Sequence, residues 1–201
     1  MPKKIPTDHP SLNLEESLEY VFLNLEKGVI EGKHDFHLLV LATIDENNKP
    51  QNRNVVLRKV DISNSLVKFH TDKRSNKIKD LNHNHSISLL GYDKSAKLQI
   101  RLGAKAVIEK SNEVLIDVWS KMRPMSRACY RVKDTPGKII SSRNDVIFEN
   151  EDEKKLNGFE NFVIVNCHIQ SIETLFLHSA GHIRAKYLYK DNAFHGSWLV
   201  P

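Results

Sequence analysis

A chain of 201 residues that is 40% hydrophobic can bury a substantial core, and 8 glycines and 7 prolines with no low-complexity run exclude a disordered or fibrous protein. Two cysteines, Cys129 and Cys167, exclude a disulfide framework or a cysteine-based zinc site and are expected as reduced thiols. The net charge of +5 suits an anionic partner, but Lys and Arg are scattered among acidic residues rather than gathered in a stripe with interleaved aromatics, which argues against nucleic acid.

No apolar run approaches the roughly 20 residues needed to cross a bilayer, and the leading MPKKIPTDHP has no apolar signal core. The expectation is one cytoplasmic domain over residues 1–201, with no membrane partner. From Ser11 to Ile30, Leu14, Leu18, Val21, Phe22, Leu25 and Val29 recur at three- and four-residue spacing, predicting an amphipathic covering helix. Ser11 or Asn13 caps it, and Gly28 and Gly32 weaken its end. From Phe36 the period changes: FHLLVLATID, the turn ENNKP, QNRNVVLRKVD, the turn Ser63 to Ser65, and LVKFH read as a β-meander.

Ser75 to Asn82 reads as a short helix with Ile78 and Leu81 inward. SISLLGY and KLQIRLGAKAVIE follow as strands, with Gly103 marking a bulge or close approach. Asn112 to Met122 is helical, and Arg123 to Tyr130 continues helically after Pro124. After the turn Thr135, Pro136, Gly137 and a charged segment from Asp145 to Leu156, three strands close the chain: NFVIVNCHIQSIETLFL, HIRAKYLYK and AFHGSWLV, the last two joined at Asp191 and Asn192. Eight strands with short helices predict a mainly β (α+β) protein, an antiparallel barrel with peripheral helices.

The chemistry-bearing residues gather between Arg53 and Arg101. In RNVVLRKV, Arg53 and Arg58 stand five apart, so a regular strand sends them to opposite faces roughly 16 Å apart; they can meet on one small anion only through a bulge or a partner subunit, but can bracket an elongated ligand. The run from His70 to Lys77 passes from strand to helix. Its Thr71, Arg74, Ser75 and Lys77 beside helical N–H groups form a candidate phosphate site, against the alternative of a solvated basic turn. Gln99 can address a heterocycle's amide edge. His178 and His182 are four apart but straddle a turn, so no metal site is expected.

In that order, RNVVLR, FHTDKRSNK, KLQIRLG, WSKMRP and the terminal WLVP resemble the pyridoxine/pyridoxamine 5'-phosphate oxidase family of FMN-binding Greek-key split barrels, over roughly residues 36 to 201. The resemblance implies a homodimer with FMN at its interface. It places Arg53 and Lys77 at the cofactor phosphate with Thr71 and Ser75 nearby, and His70 and Asn76 in the same run among the cofactor contacts. It sets the backbone of Asn54, Val55 and Val56 along the cofactor, and Arg58 and Gln99 toward its ring. For a small phosphorylated substrate it implies Trp119, Arg123, His182 and Arg184, with Arg58 bridging substrate and flavin. The activity implied is oxidation of pyridoxamine or pyridoxine 5'-phosphate with oxygen as acceptor and no obligatory acid or base side chain; a flavin-binding protein with another substrate or no turnover is the alternative. The chain departs from the family at Asn76, where a second basic residue is usual and Arg74 is the candidate substitute. It departs again at Phe176 and Lys186, and at His182-Ile183-Arg184, which replaces an Arg-x-His pair.

Overall fold

The computed structural model describes residues 12–150 and 156–201. Helix α1, Leu14–Ile30, begins at Asn13, whose side chain accepts from the Glu16 N–H while Glu16 returns the bond, a capping box. Ser11, the other expected cap, lies outside the described residues. The helix buries Val21, Phe22 and Leu25 against the barrel. Gly28 does not end it: a Cβ there would lie 2.7 Å from the Phe36 carbonyl, so glycine lets the helix seat on the 3-10 turn Asp35–His37.

Eight strands follow: β1 Leu38–Ile44, β2 Pro50–Asp61, β3 Leu66–Asp72, β4 Ser86–Asp93, β5 Leu98–Ile108, β6 Phe162–Phe176, β7 Ile183–Lys190 and β8 Ala193–Leu199. Their order is β3-β2-β1-β4-β5-β6-β7-β8, and β3 also pairs β6, closing the first six strands into an antiparallel barrel. Within it β3-β2-β1-β4 has the Greek-key order, three hairpin-linked strands with the fourth returning beside the first. Closure removes the free edges that β3 and β6 would otherwise expose.

Alternation explains the interior. Leu39 and Leu41, Leu98, Ile100 and Leu102, and Val163 and Val165 point inward from their strands and form one core, each buried side chain contributing roughly 1.5 to 3 kcal/mol. Two register shifts interrupt the ladders, one leaving Arg58 of β2 unpaired with β3 and one leaving Gln170 of β6 unpaired opposite Gly103 and Ala104 of β5, where a Cβ on Gly103 would lie 2.6 Å from Ser171 Oγ. Asp191 and Asn192 turn β7 into β8 with φ of 52° and 61°, a conformation short polar side chains tolerate.

Helix α2, Asn76–His83, sits at the end of β3, and α3, Asn112–Lys121, follows β5. Arg123 to Tyr130 is not one helix. Pro124 starts the short α4, Pro124–Ala128, and Cys129–Arg131 tightens into a 3-10 turn. From the charged segment the described part holds a 3-10 turn at Arg143–Asp145 and a bridge from Phe148 to Val132; residues 151–155 lie outside the described residues. A second, smaller core joins Leu115 and Trp119 of α3 to Tyr130, Phe162 and Ile164.

Candidate functional site

The end of β3 and the start of α2 place Thr71, Ser75 and Lys77 together. Ser75 occupies the N-cap position of α2, yet its hydroxyl makes no capping bond; it donates to the Asp72 carbonyl and accepts from Lys77 Nζ at 3.2 Å. Lys77 Nζ also donates to Thr71 Oγ1 at 2.9 Å. Burial, and then the neighbouring Arg53 charge, push the Lys77 ammonium below its usual range. Its hydrogen-bond partners are neutral hydroxyls, so its charge is left to attract an anion.

Arg53 projects from β2 on the same face as Val55 and Leu57, toward the barrel's end. It is not free: one guanidinium nitrogen meets Asp80 Oδ2 at 3.0 Å and another donates to Thr43, whose hydroxyl donates to the same Asp80 oxygen at 2.6 Å. Asp80 therefore fixes Arg53 and offsets its charge, a role the sequence reading missed, although Asp80 lies one turn from Lys77 on the face that carries Leu81. Arg53, Ser75, Asn76, Lys77 and Asp80, together with Pro136 and Gly137, line a cavity of about 620 Å³. Arg74 does not stand in for the second basic residue. It pairs with Asp72 at 2.7 Å and donates to the Val132 carbonyl at 2.9 Å, tying the 130s loop down.

A second cavity of about 490 Å³ takes Arg58 and His70 from β2 and β3, Lys121, Met122 and Arg123 from the end of α3, and His37 from the turn after α1. The register shift at Leu57/Lys59 leaves Arg58 unpaired in the β2–β3 ladder, and the two arginines of RNVVLRKV, on opposite faces as their spacing requires, line different cavities. His70 stacks edge-on against Phe162 at 5.1 Å, and its Nδ1 is shielded with no partner. Burial foremost, then the charges of Arg58 and Lys68, bring its imidazole down to about 4.

The remaining expected residues line neither cavity. Trp119 is 2% exposed and packs between Tyr130 and Phe162 in the second core, so its ring serves packing rather than a cavity wall. Val55 is buried, whereas Asn54 and Val56 face outward and leave their strand's outer surface to a ligand or partner. Gln99 and Arg184 both stand opposite Leu175, on the outer face of the sheet. Arg184 and Arg101 share Glu173, each within 2.5 Å, a clamp signalled in sequence only by one acid within SIETLF. His182 is exposed at the turn before β7, where its Nδ1 accepts from the His178 N–H at 3.3 Å.

A family model described as the FMN-binding domain of pyridoxamine 5'-phosphate oxidase matches residues 21–110, which hold β1 to β5, α2 and the Lys77 cluster. Over those residues the chain is similar to that family's FMN-binding domain. A pyridoxine/pyridoxamine 5'-phosphate oxidase of Bartonella quintana is 27% identical over 124 residues, 62% of this chain and 58% of the relative. One from Photorhabdus laumondii is 51% identical over 49 residues, 24% of this chain and 22% of the relative. The chain thus matches less than two thirds of the length of these curated relatives. Among solved structures, a pyridoxamine 5'-phosphate oxidase-related FMN-binding protein of Nostoc punctiforme has a TM-score of 0.77 at 20% identity, covering 94% of this chain and all of the other. PhzG of Burkholderia lata, solved with tetrahydrophenazine-1-carboxylic acid, has a TM-score of 0.67 at 18% identity, covering this whole chain and 97% of the other. These likenesses fix the split-barrel fold. The residues present fit FMN: a half-buried ammonium bonded only to neutral hydroxyls, beside an arginine and a helix start, is the donor set a terminal phosphate needs.

Proposed function

We propose that the protein is an FMN-dependent oxidoreductase, working as a homodimer, that oxidises a small phosphorylated amine or alcohol, with pyridoxamine or pyridoxine 5'-phosphate as the leading substrates. The observation that carries this reading is the Lys77–Thr71–Ser75 cluster inside the matched FMN-binding domain. FMN, when bound, supplies a two-electron acceptor, with oxygen as the terminal acceptor in this reading. Lys77 and Arg53 hold its phosphate, Thr71 and Ser75 aim the ammonium, and Asp80 keeps Arg53 in place. Arg58 and Arg123, which both line the second cavity, orient the substrate's anionic end, so positioning rather than a side-chain acid or base does the work.

The homodimer is supported by the outer face of the barrel. Leu38, Leu90 and Tyr92 are exposed there beside exposed Asn54 and half-buried Val56, Gln99 and Arg184. A second copy against this face lets Gln99 and Arg184 address the partner's flavin and substrate, although they line neither cavity of their own protomer. Arg184 would do so while held by Glu173, and His182 from an exposed turn.

The test is spectroscopic. Purified protein reconstituted with FMN should keep the flavin absorbance bands through gel filtration, and anaerobic addition of pyridoxamine 5'-phosphate should bleach them. Retained flavin without bleaching by either phosphorylated vitamer would reject these substrates; flavin lost on the column would reject the cofactor site itself.

A further inference from the structure

We propose that His70 makes anion binding in the second cavity proton-linked: an anion held by Arg58 and Arg123 takes up a proton on His70, so that the cavity closes on its ligand more tightly in mild acid. The inference rests on the reading of that cavity as the seat of the substrate's anionic end.

The geometry sets up the linkage. Of the residues lining the cavity none is a carboxylate, and among the described residues Arg58 and Arg123 have no ion-pair partner. Lys121, by contrast, is held by Asp117 at 2.6 Å, and His37 Nδ1 donates to the Gly28 carbonyl at 2.7 Å. The charged and titratable groups around His70 are therefore Arg58 from β2, Lys68 on its own strand, Lys121 and Arg123 from the end of α3, and His37 across the cavity. On the β6 side it meets the ring of Phe162. A shielded imidazole nitrogen without a partner is unusual in a folded protein and marks a side chain whose bonding the chain itself does not complete.

Without an anion, burial and the two nearest cations, Arg58 and Lys68, keep the ring neutral. A dianion between Arg58 and Arg123 reverses that field, and protonated His70 becomes one more cation facing it. Linkage is reciprocal: what the anion does for the proton, the proton does for the anion. If bound anion returns the imidazole from about 4 to its ordinary 6.5, affinity rises about tenfold between about pH 7.5 and about pH 5.5.

Sulfate is a suitable probe because it stays dianionic across this range, and FMN-loaded protein leaves the first cavity's phosphate position filled. Calorimetric titration of the holoprotein should show sulfate affinity rising about tenfold from about pH 7.5 to about pH 5.5. His70→Gln, compared at equal FMN occupancy, should bind sulfate with a flat profile. Imidazole NMR of the wild type, with His70 assigned by that variant, should show its titration moving upward when sulfate is added. Equal pH profiles in wild type and variant, or a His70 titration that sulfate does not move, would overturn the role of His70 alone. Absence of sulfate binding at every pH, or binding unaffected by Arg58→Ala with Arg123→Ala, would instead overturn the anion-cavity reading beneath it.

Discussion

Asp80 and Arg53 show how a charge can be placed beside a core. The Arg53 and Asp80 side chains are 23% and 7% exposed, and their ion pair is completed by Thr43. Removing either partner alone strands the other in a partly desolvated place, which costs more than the pair contributes. A double-mutant cycle of Arg53→Ala and Asp80→Ala in urea is expected to give a coupling of about 1 to 3 kcal/mol; additive losses would mean the pair does not act as a unit. His70 makes a second prediction at this scale. Its folded titration lies below that of the unfolded chain, so the unfolded state binds more protons between about 6.5 and about 4, and stability is lost as pH falls through that window. Urea midpoints of the wild type should drop across it by more than those of His70→Gln, and equal slopes would contradict a neutral buried imidazole.

At the scale of elements, periodicity carried most of the information. The alternating runs become eight strands, and Asn13, Ser75, Pro124 and the Asp191–Asn192 turn stand at element boundaries as their chemistry suggests. What periodicity does not carry is what a side chain meets across the fold. The spacing of Arg53 and Arg58 gave opposite faces, but that Arg58 shares its cavity with His70 and Arg123 depends on contacts across the fold. Trp119 sits at the helical spacing of a core residue, and the resemblance gave it a ligand role where the structure gives it Tyr130 and Phe162. Asp80 and Glu173 hold the arginines singled out from sequence, across distances of 27 and 11 residues along the chain, beyond the reach of any short motif. Gly28 reads as a helix weakness in sequence and is a contact point in three dimensions. Gly28→Ala is expected to force α1 off the Asp35–His37 turn and destabilise the protein by about 1 to 3 kcal/mol, visible as a lower Tm; an unchanged Tm would mean the helix can shift without loss.

For the whole molecule, the expected site is divided between places that one protomer does not unite: two cavities at the Arg53–Lys77 and Arg58–His70 groups, and an outer face bearing Gln99 and Arg184. That division is what a shared site between two copies would look like from one of them. Sedimentation should therefore show a particle of twice the 23.1 kDa chain, and Leu90→Asp with Tyr92→Asp should give monomers that no longer retain FMN. A wild-type monomer that holds FMN would remove the need for a second copy.

The closure of the barrel also sets an order of events in the making of the protein. Thr71 lies in β3, whose outer partner is Val163 of β6, about half the chain further on. While the protein is being synthesised, Arg53, Thr71, Ser75 and Lys77 all leave the ribosome on a sheet whose last edge is still unwritten. That edge is completed only when Phe162 to His168 emerge and pair with β3. The proposed phosphate cradle is thus encoded early, and its strand gains its last partner only when the non-local β3–β6 pairing has met its loop-closure cost.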